Sequence, residues 1–185
     1  EFLLSPWEHH DTYLEECHRG FFLNLRRGKA PGKAGIPEKH IGALAPAVPL
    51  YAALRALEVP DRQARDIVHD HVSVTHAGAL VERATESVLT IAAELWAGAG
   101  IRDVLGPHLE RQDLPFLQGP IRRLEAESDE KVIGKVWSPA CYLDESLPAT
   151  YYLAWKYAQT PRQGLIANVM VGGDNCHRGA VLGAL

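Results

Sequence analysis

The chain ends on VGGDNCHRGAVLGAL, residues 171–185, and how this stretch is read decides the fold. Gly172 and Gly173 permit a tight turn through backbone angles that other residues avoid. Asp174 then falls where a helix N-cap belongs. Beyond it Gly179 and Gly183 stand four apart with Ala180 and Ala184 beside them, so one side of the helix is nearly flat and can approach a neighbour closely. The turn therefore collects an acid, unpaired backbone N–H groups and a positive helix end at one point, which suits an anion or a carboxylate-bound metal. The plainer alternative is that Asp174 only caps a buried helix.

The segments leading to this turn carry the three-to-four residue apolar spacing of helices, and period-two alternation is scarce. PRQGLIANVMV, from Pro161, predicts a helix ended by Gly172 and Gly173. The segment before it predicts a helix from about Leu147, with Pro148 in its first turn and Pro161 as its stop. In AGALVERATESVLTIAAELWAG (77–98), Leu80, Ala84, Val88, Ile91 and Leu95 share one face, while Glu82, Arg83 and Glu86 lie off it. Pro60 and Asp61 start a further helix with the stripe Ala64, Ile67 and Val68, and residues 47–58 form a shorter one closed by Pro60. From Asp11, an N-capped helix presents Leu14, Cys17, Phe21 and Leu25, with Gly28 as its C-cap. Between residues 99 and 131 the glycines and prolines predict short helices separated by turns, followed by a short extended segment. The fold class is all-α.

At 185 residues one domain, 1–185, is expected. With 19 basic against 23 acidic side chains, a net charge of −4 and no basic run, nothing marks a nucleic-acid surface. No apolar stretch reaches membrane-spanning length and the start lacks the pattern of a signal peptide, so no membrane partner and a cytoplasmic location are expected. Cys17, Cys141 and Cys176 are odd in number and lack close pairing, which predicts reduced thiols. The opening Glu1-Phe2, without Met, and an end inside a helix predict a fragment of a longer chain.

The run ANVMVGGDNCHRGAVLGAL resembles the signature of the ADP-ribosylglycohydrolase family, in which a helix, a glycine pair and Asp-Thr-Asp-Thr open a small-residue helix. ACYLDESLPATYYLAWKYAQT is similar to the family segment ahead of it. Thr75-His76, opening a long helix, is similar to the Thr-His before the family's central helix, and Gly42 and Pro49 keep the seven-residue offset of its Asn-Gly to Pro segment. The likeness runs from about residue 40 to 185. It implies an all-α orthogonal bundle, incomplete at both ends in this chain. It also implies a hydrolase that cleaves the N- or O-glycosidic bond joining ADP-ribose to a side chain with two Mg²⁺ ions. The partners it implies are an ADP-ribose-like small molecule or an ADP-ribosylated protein. By the same resemblance Asp174 matches the first metal-binding Asp, and Gly42, His76, Tyr142, Gly172, Gly173 and Asn175 line the substrate pocket.

The chain also departs from the family pattern. Asn175, Cys176 and His177 replace a Thr, the second Asp and the second Thr, and Ile41 and Pro46 stand where the family has Asn and Arg. Cys and His suit Zn²⁺ or Fe²⁺ better than Mg²⁺, so the magnesium centre is either lost or replaced. The family's N-terminal Asp-Asp-Thr does not occur, and Asp11-Thr12 comes nearest. Catalytic candidates are Cys176, at a helix start that lowers a thiol pKa, and His177. Each has a bland alternative: Cys176 as a small buried hydrophobe, His177 as pocket wall. Neighbours on a helix point about 100° apart, which argues against a dyad made of these two alone. His76 is read as a pocket residue or as a core histidine. His69, His71, His9 and His10 are read as solvated, and Asp144 as a pocket residue or a helix-start charge. Three functions stay open: the hydrolase, an inactive binding or structural homologue, and a repurposed biosynthetic enzyme using Cys176 or His177.

Overall fold

The computed structural model describes residues 14–117 and 121–185. Ten helices account for most of them: α1 (Glu16–Arg26), α2 (Ala47–Ala56), α3 (Asp61–Ser73), α4 (Ala79–Trp96), α5 (Ile101–Arg111), α6 (Ile121–Leu124), α7 (Asp129–Lys131), α8 (Leu143–Lys156), α9 (Pro161–Met170) and α10 (Asn175–Ala184). The extended backbone is a parallel pair of two-residue strands, β1 (Ile36–Pro37) and β2 (His76–Ala77), in register Ile36 to His76. The all-α reading holds.

The 18-residue α4 is the spine. Ala84, Val88 and Ile91 are fully buried, as the apolar spacing predicts, and Leu80 and Leu95 at the ends of the stripe are half-buried. Burying a side chain of the size of Val or Ile stabilises by roughly 1.5–3 kcal/mol, so this stripe against α2 and α8 dominates the core. The Ser87 and Tyr151 hydroxyls, 2.7 Å apart, join α4 to α8 through an otherwise apolar contact. Gly28, with φ +84°, follows α1 as expected of a C-cap glycine.

Three local expectations are corrected. Thr75-His76 does not open α4: His76 lies in β2, and Gly78, at φ +114°, turns the chain into the helix. Next, α8 begins at Leu143, with Asp144 and Glu145 in its first turn, so Pro148 sits inside the helix. Its missing N–H forfeits one bond to the preceding turn, a loss offset by the burial of Leu143, Leu147 and Tyr151 around it. Similarly, α5 runs unbroken through Gly106-Pro107. The Asp11 cap, Asp11-Thr12 and His9-His10 lie outside the described residues.

Candidate functional site

The turn before α10 is built as its sequence demands. Gly172 and Gly173 take φ +72° and +69°, and a Cβ on Gly173 would lie 2.0 Å from the Pro139 carbonyl oxygen. That oxygen instead accepts the Asp174 N–H at 3.0 Å. On the flat side of α10, Gly179 lets the Asn168 amide approach to where a Cβ would be 2.8 Å away, and Gly183 faces Leu165 of α9.

Arg178 fixes this packing. It is fully buried, donating from Nε to Asn168 Oδ1 (2.6 Å) and from Nη2 to the carbonyls of Asn168 (3.1 Å) and Gly172 (2.8 Å). The Asn168 amide in turn donates to the Asn175 carbonyl at 2.8 Å. Burial pulls the guanidinium pKa down, and the nearby Asp174 charge works against that pull.

Asp174 occupies the N-cap position, but its side chain caps nothing. Its carboxylate faces two imidazoles instead: His177 Nδ1 at 3.0 and 3.1 Å and His40 Nε2 at 3.5 Å. A carboxylate oxygen only accepts, so His177 donates from Nδ1, and Nε2 is left as the ring's outward nitrogen. That nitrogen lies 3.8 Å from Glu15 Oε1. His40 is fixed in the opposite sense, because its Nδ1 accepts the Gly42 N–H (2.9 Å) and its Nε2 therefore carries the proton. The two rings meet edge to face, with centroids 5.0 Å apart. They leave no room at Gly42, where a Cβ would stand 2.9 Å from His40 Nδ1 and 3.3 Å from the His177 ring.

His177 opens onto a cavity of about 330 Å³ whose wall also includes Glu15, His18, Gly42, Thr75 and His76. Asp174 holds His177 from behind this wall. His76 is 93% buried (7% exposed), and burial pushes its pKa down to about 4, so the ring is neutral at pH 7.

The sequence-predicted residues therefore divide. Gly42, His76 and His177 border one cavity, while Asp174, Gly172, Gly173 and Asn175 shape the turn behind it. Tyr142 is 42% exposed, and its ring lies 4.2 Å under the Lys39 ammonium. Its backbone bridges to His40, and the side chain is not part of the cavity wall. Cys176 is exposed, with Asn175 Oδ1 at 3.7 Å, which corrects the buried-hydrophobe reading. His69 pairs with Glu86 at 3.1 Å and His71 is exposed. Glu15, His40, Asn168 and Arg178 were not anticipated. Arg178 alone carried a signal, a lone long cation within a run of small residues.

The family's magnesium can be tested against these side chains. Among the described residues three groups place ligand atoms within 4.8 Å of one another: Glu15, His40 and His177; Glu15, Cys17 and His76; His40, Cys141 and Asp174. Each offers one carboxylate beside nitrogen or sulfur. Mg²⁺ demands near-octahedral oxygen, so these sets do not fit a two-magnesium centre.

The chain is an all-α bundle in which a glycine-pair turn sets an acid at the start of a small-residue helix beside a cavity. The family model described as ADP-ribosylglycohydrolase matches residues 3–185, and the chain belongs to that family. The match begins well ahead of residue 40, where the sequence resemblance starts. No curated protein and no solved structure matches the chain. Among the described residues no helix is long and apolar enough to cross a membrane.

Proposed function

We propose that the chain hydrolyses an N- or O-glycosidic bond of ADP-ribose, or of a related nucleotide sugar, with His177 as the base that activates water. The observation that carries this is the Asp174 to His177 Nδ1 bond at 3.0 Å, which leaves Nε2 free at the cavity wall. Water gives a proton to Nε2, and its oxygen bonds to the anomeric carbon. The glycosidic bond breaks with its electron pair on the leaving side chain, which takes up a proton from solvent as it departs, and His177 later returns its proton to solvent. Asp174 orients the ring and stabilises the imidazolium. Partners on this reading are free ADP-ribose-like compounds or an ADP-ribosylated protein. A cytoplasmic setting is supported by three free cysteines.

The test is release of ADP-ribose from ADP-ribosylated arginine and serine peptides by wild type and His177→Ala. Turnover that is lost in the variant and indifferent to added Mg²⁺ is expected. Calorimetric binding of ADP-ribose without turnover would make the chain an inactive homologue. Turnover that survives His177→Ala would remove the base assigned here.

A further inference from the structure

Beside the cavity lies a second constellation that the hydrolytic reading does not use. A carboxylate oxygen of Glu15, the thiol sulfur of Cys17 and a ring nitrogen of His76 lie within 4.8 Å of one another, where the start of α1 meets β2. Among the described residues His76 Nε2 is buried and has no hydrogen-bond partner. Its Nδ1 lies 2.8 Å from Thr75 Oγ1. Were Thr75 the donor, Nε2 would be an orphaned buried N–H, the rarest kind of unpaired group in folded proteins. With Nδ1–H donating to Thr75, Nε2 carries an unshared pair. Cys17 is 99% buried (1% exposed), and its sulfur lies 3.7 Å from Glu15 Oε2 and 3.3 Å from His18 Nδ1.

We infer that Glu15, Cys17 and His76 bind a borderline divalent cation of the Zn²⁺ class. One thiolate, one imidazole and one carboxylate form a mixed set that Zn²⁺ accepts and Mg²⁺ does not. On binding, the Cys17 S–H bond breaks, the proton passes to solvent and the sulfur pair goes to the metal. Thiolate and carboxylate then balance the dication. Three protein ligands leave the fourth tetrahedral position free, and Glu15 and His76 both border the cavity. The other two groups are poorer sites. In both, His40 Nε2 carries the proton because Nδ1 accepts from Gly42, and in one of them Asp174 is already engaged by His177.

The site does not depend on hydrolysis, so a chain that binds Zn²⁺ and cleaves nothing sinks only the preceding proposal. The experiment loads the full chain with Co²⁺ and then displaces it with Zn²⁺, following thiolate-to-cobalt charge-transfer absorption. One equivalent with a charge-transfer band is expected. Cys17→Ser and His76→Gln should weaken Zn²⁺ binding by more than the roughly 10–100-fold that loss of a second-shell partner costs, and Cys141→Ser and Cys176→Ser should leave it unchanged. Zn X-ray absorption on the wild type keeps the test open if a variant fails to fold: one sulfur at about 2.3 Å is expected. A shell of oxygen and nitrogen only, no uptake of metal, or loss of the band in Cys141→Ser instead of Cys17→Ser would overturn the inference.

Discussion

Asp129 and Asp174 are buried to nearly the same extent, with side chains 13% and 16% exposed, yet their surroundings differ. Asp129, in α7, accepts from the Tyr152 hydroxyl (2.8 Å), the Lys156 ammonium (2.9 Å) and the Tyr157 hydroxyl (2.6 Å). Burial acts to raise its pKa, but the bonds from Tyr157, Lys156 and Tyr152 prevail and hold it below the usual carboxylate range. Burial, together with its bond to Asp129, pushes Tyr157 up to about 12. Every donor there is committed, and a full positive charge is among them. Asp174 meets two imidazoles, one of which keeps a free nitrogen at a cavity. A carboxylate whose donors are all spent stabilises the fold. One that orients a ring holds chemistry in reserve.

Substitution of both acids by Asn tests that contrast most sharply. Asp174→Asn should lower kcat by roughly 10²–10⁴, because a base that loses its orienting carboxylate forfeits the gain from proton transfer, while the urea midpoint moves little. Turnover assays beside urea melts check both halves. The next largest effect belongs to the turn that delivers Asp174. Gly173→Ala should destabilise by about 2–5 kcal/mol, combining left-handed strain of roughly 1–2 kcal/mol with overpacking of roughly 1–3 kcal/mol against Pro139. Urea denaturation measures it.

Asp129→Asn should then cost about 2–3 kcal/mol in the same measurement, with turnover preserved. The pH dependence has a definite sign. Because the folded pKa lies below the unfolded one, the Asp129 contribution is complete above the ordinary carboxylate range and is lost as pH falls through the lowered value. Asp129→Asn should therefore flatten the acid limb of the stability profile. The smallest effect is expected for Gly172→Ala. Its φ is +72° but a Cβ there meets nothing within 4 Å, so strain alone, about 1–2 kcal/mol, should appear as a small shift in Tm.

The helices were legible because their apolar stripes are long and face one core, as in Ala84, Val88 and Ile91. The glycine pair was legible because few other residues take consecutive left-handed angles. The start of α8 was not, since Pro148 reads as a first-turn residue and tertiary burial overrides that preference. Of the candidate site, the turn and Asp174 were visible, while His40 and Glu15 were not. They join His177 across more than a hundred positions of sequence, and only the packing of α10 against the His40 turn brings them together. Cys176 drew notice for its chemistry, but its helical position directs it outward.

Arg178 has a consequence for how the turn can evolve or move. Its guanidinium hangs from the last carbonyls of α9 and the first of the glycine turn, so sliding the loop by even one residue would strand a cation in the interior. Asp174 thus inherits its coordinates from a residue one turn further along its own helix. Exposed Val169 and Met170 are free to drift without disturbing that anchor.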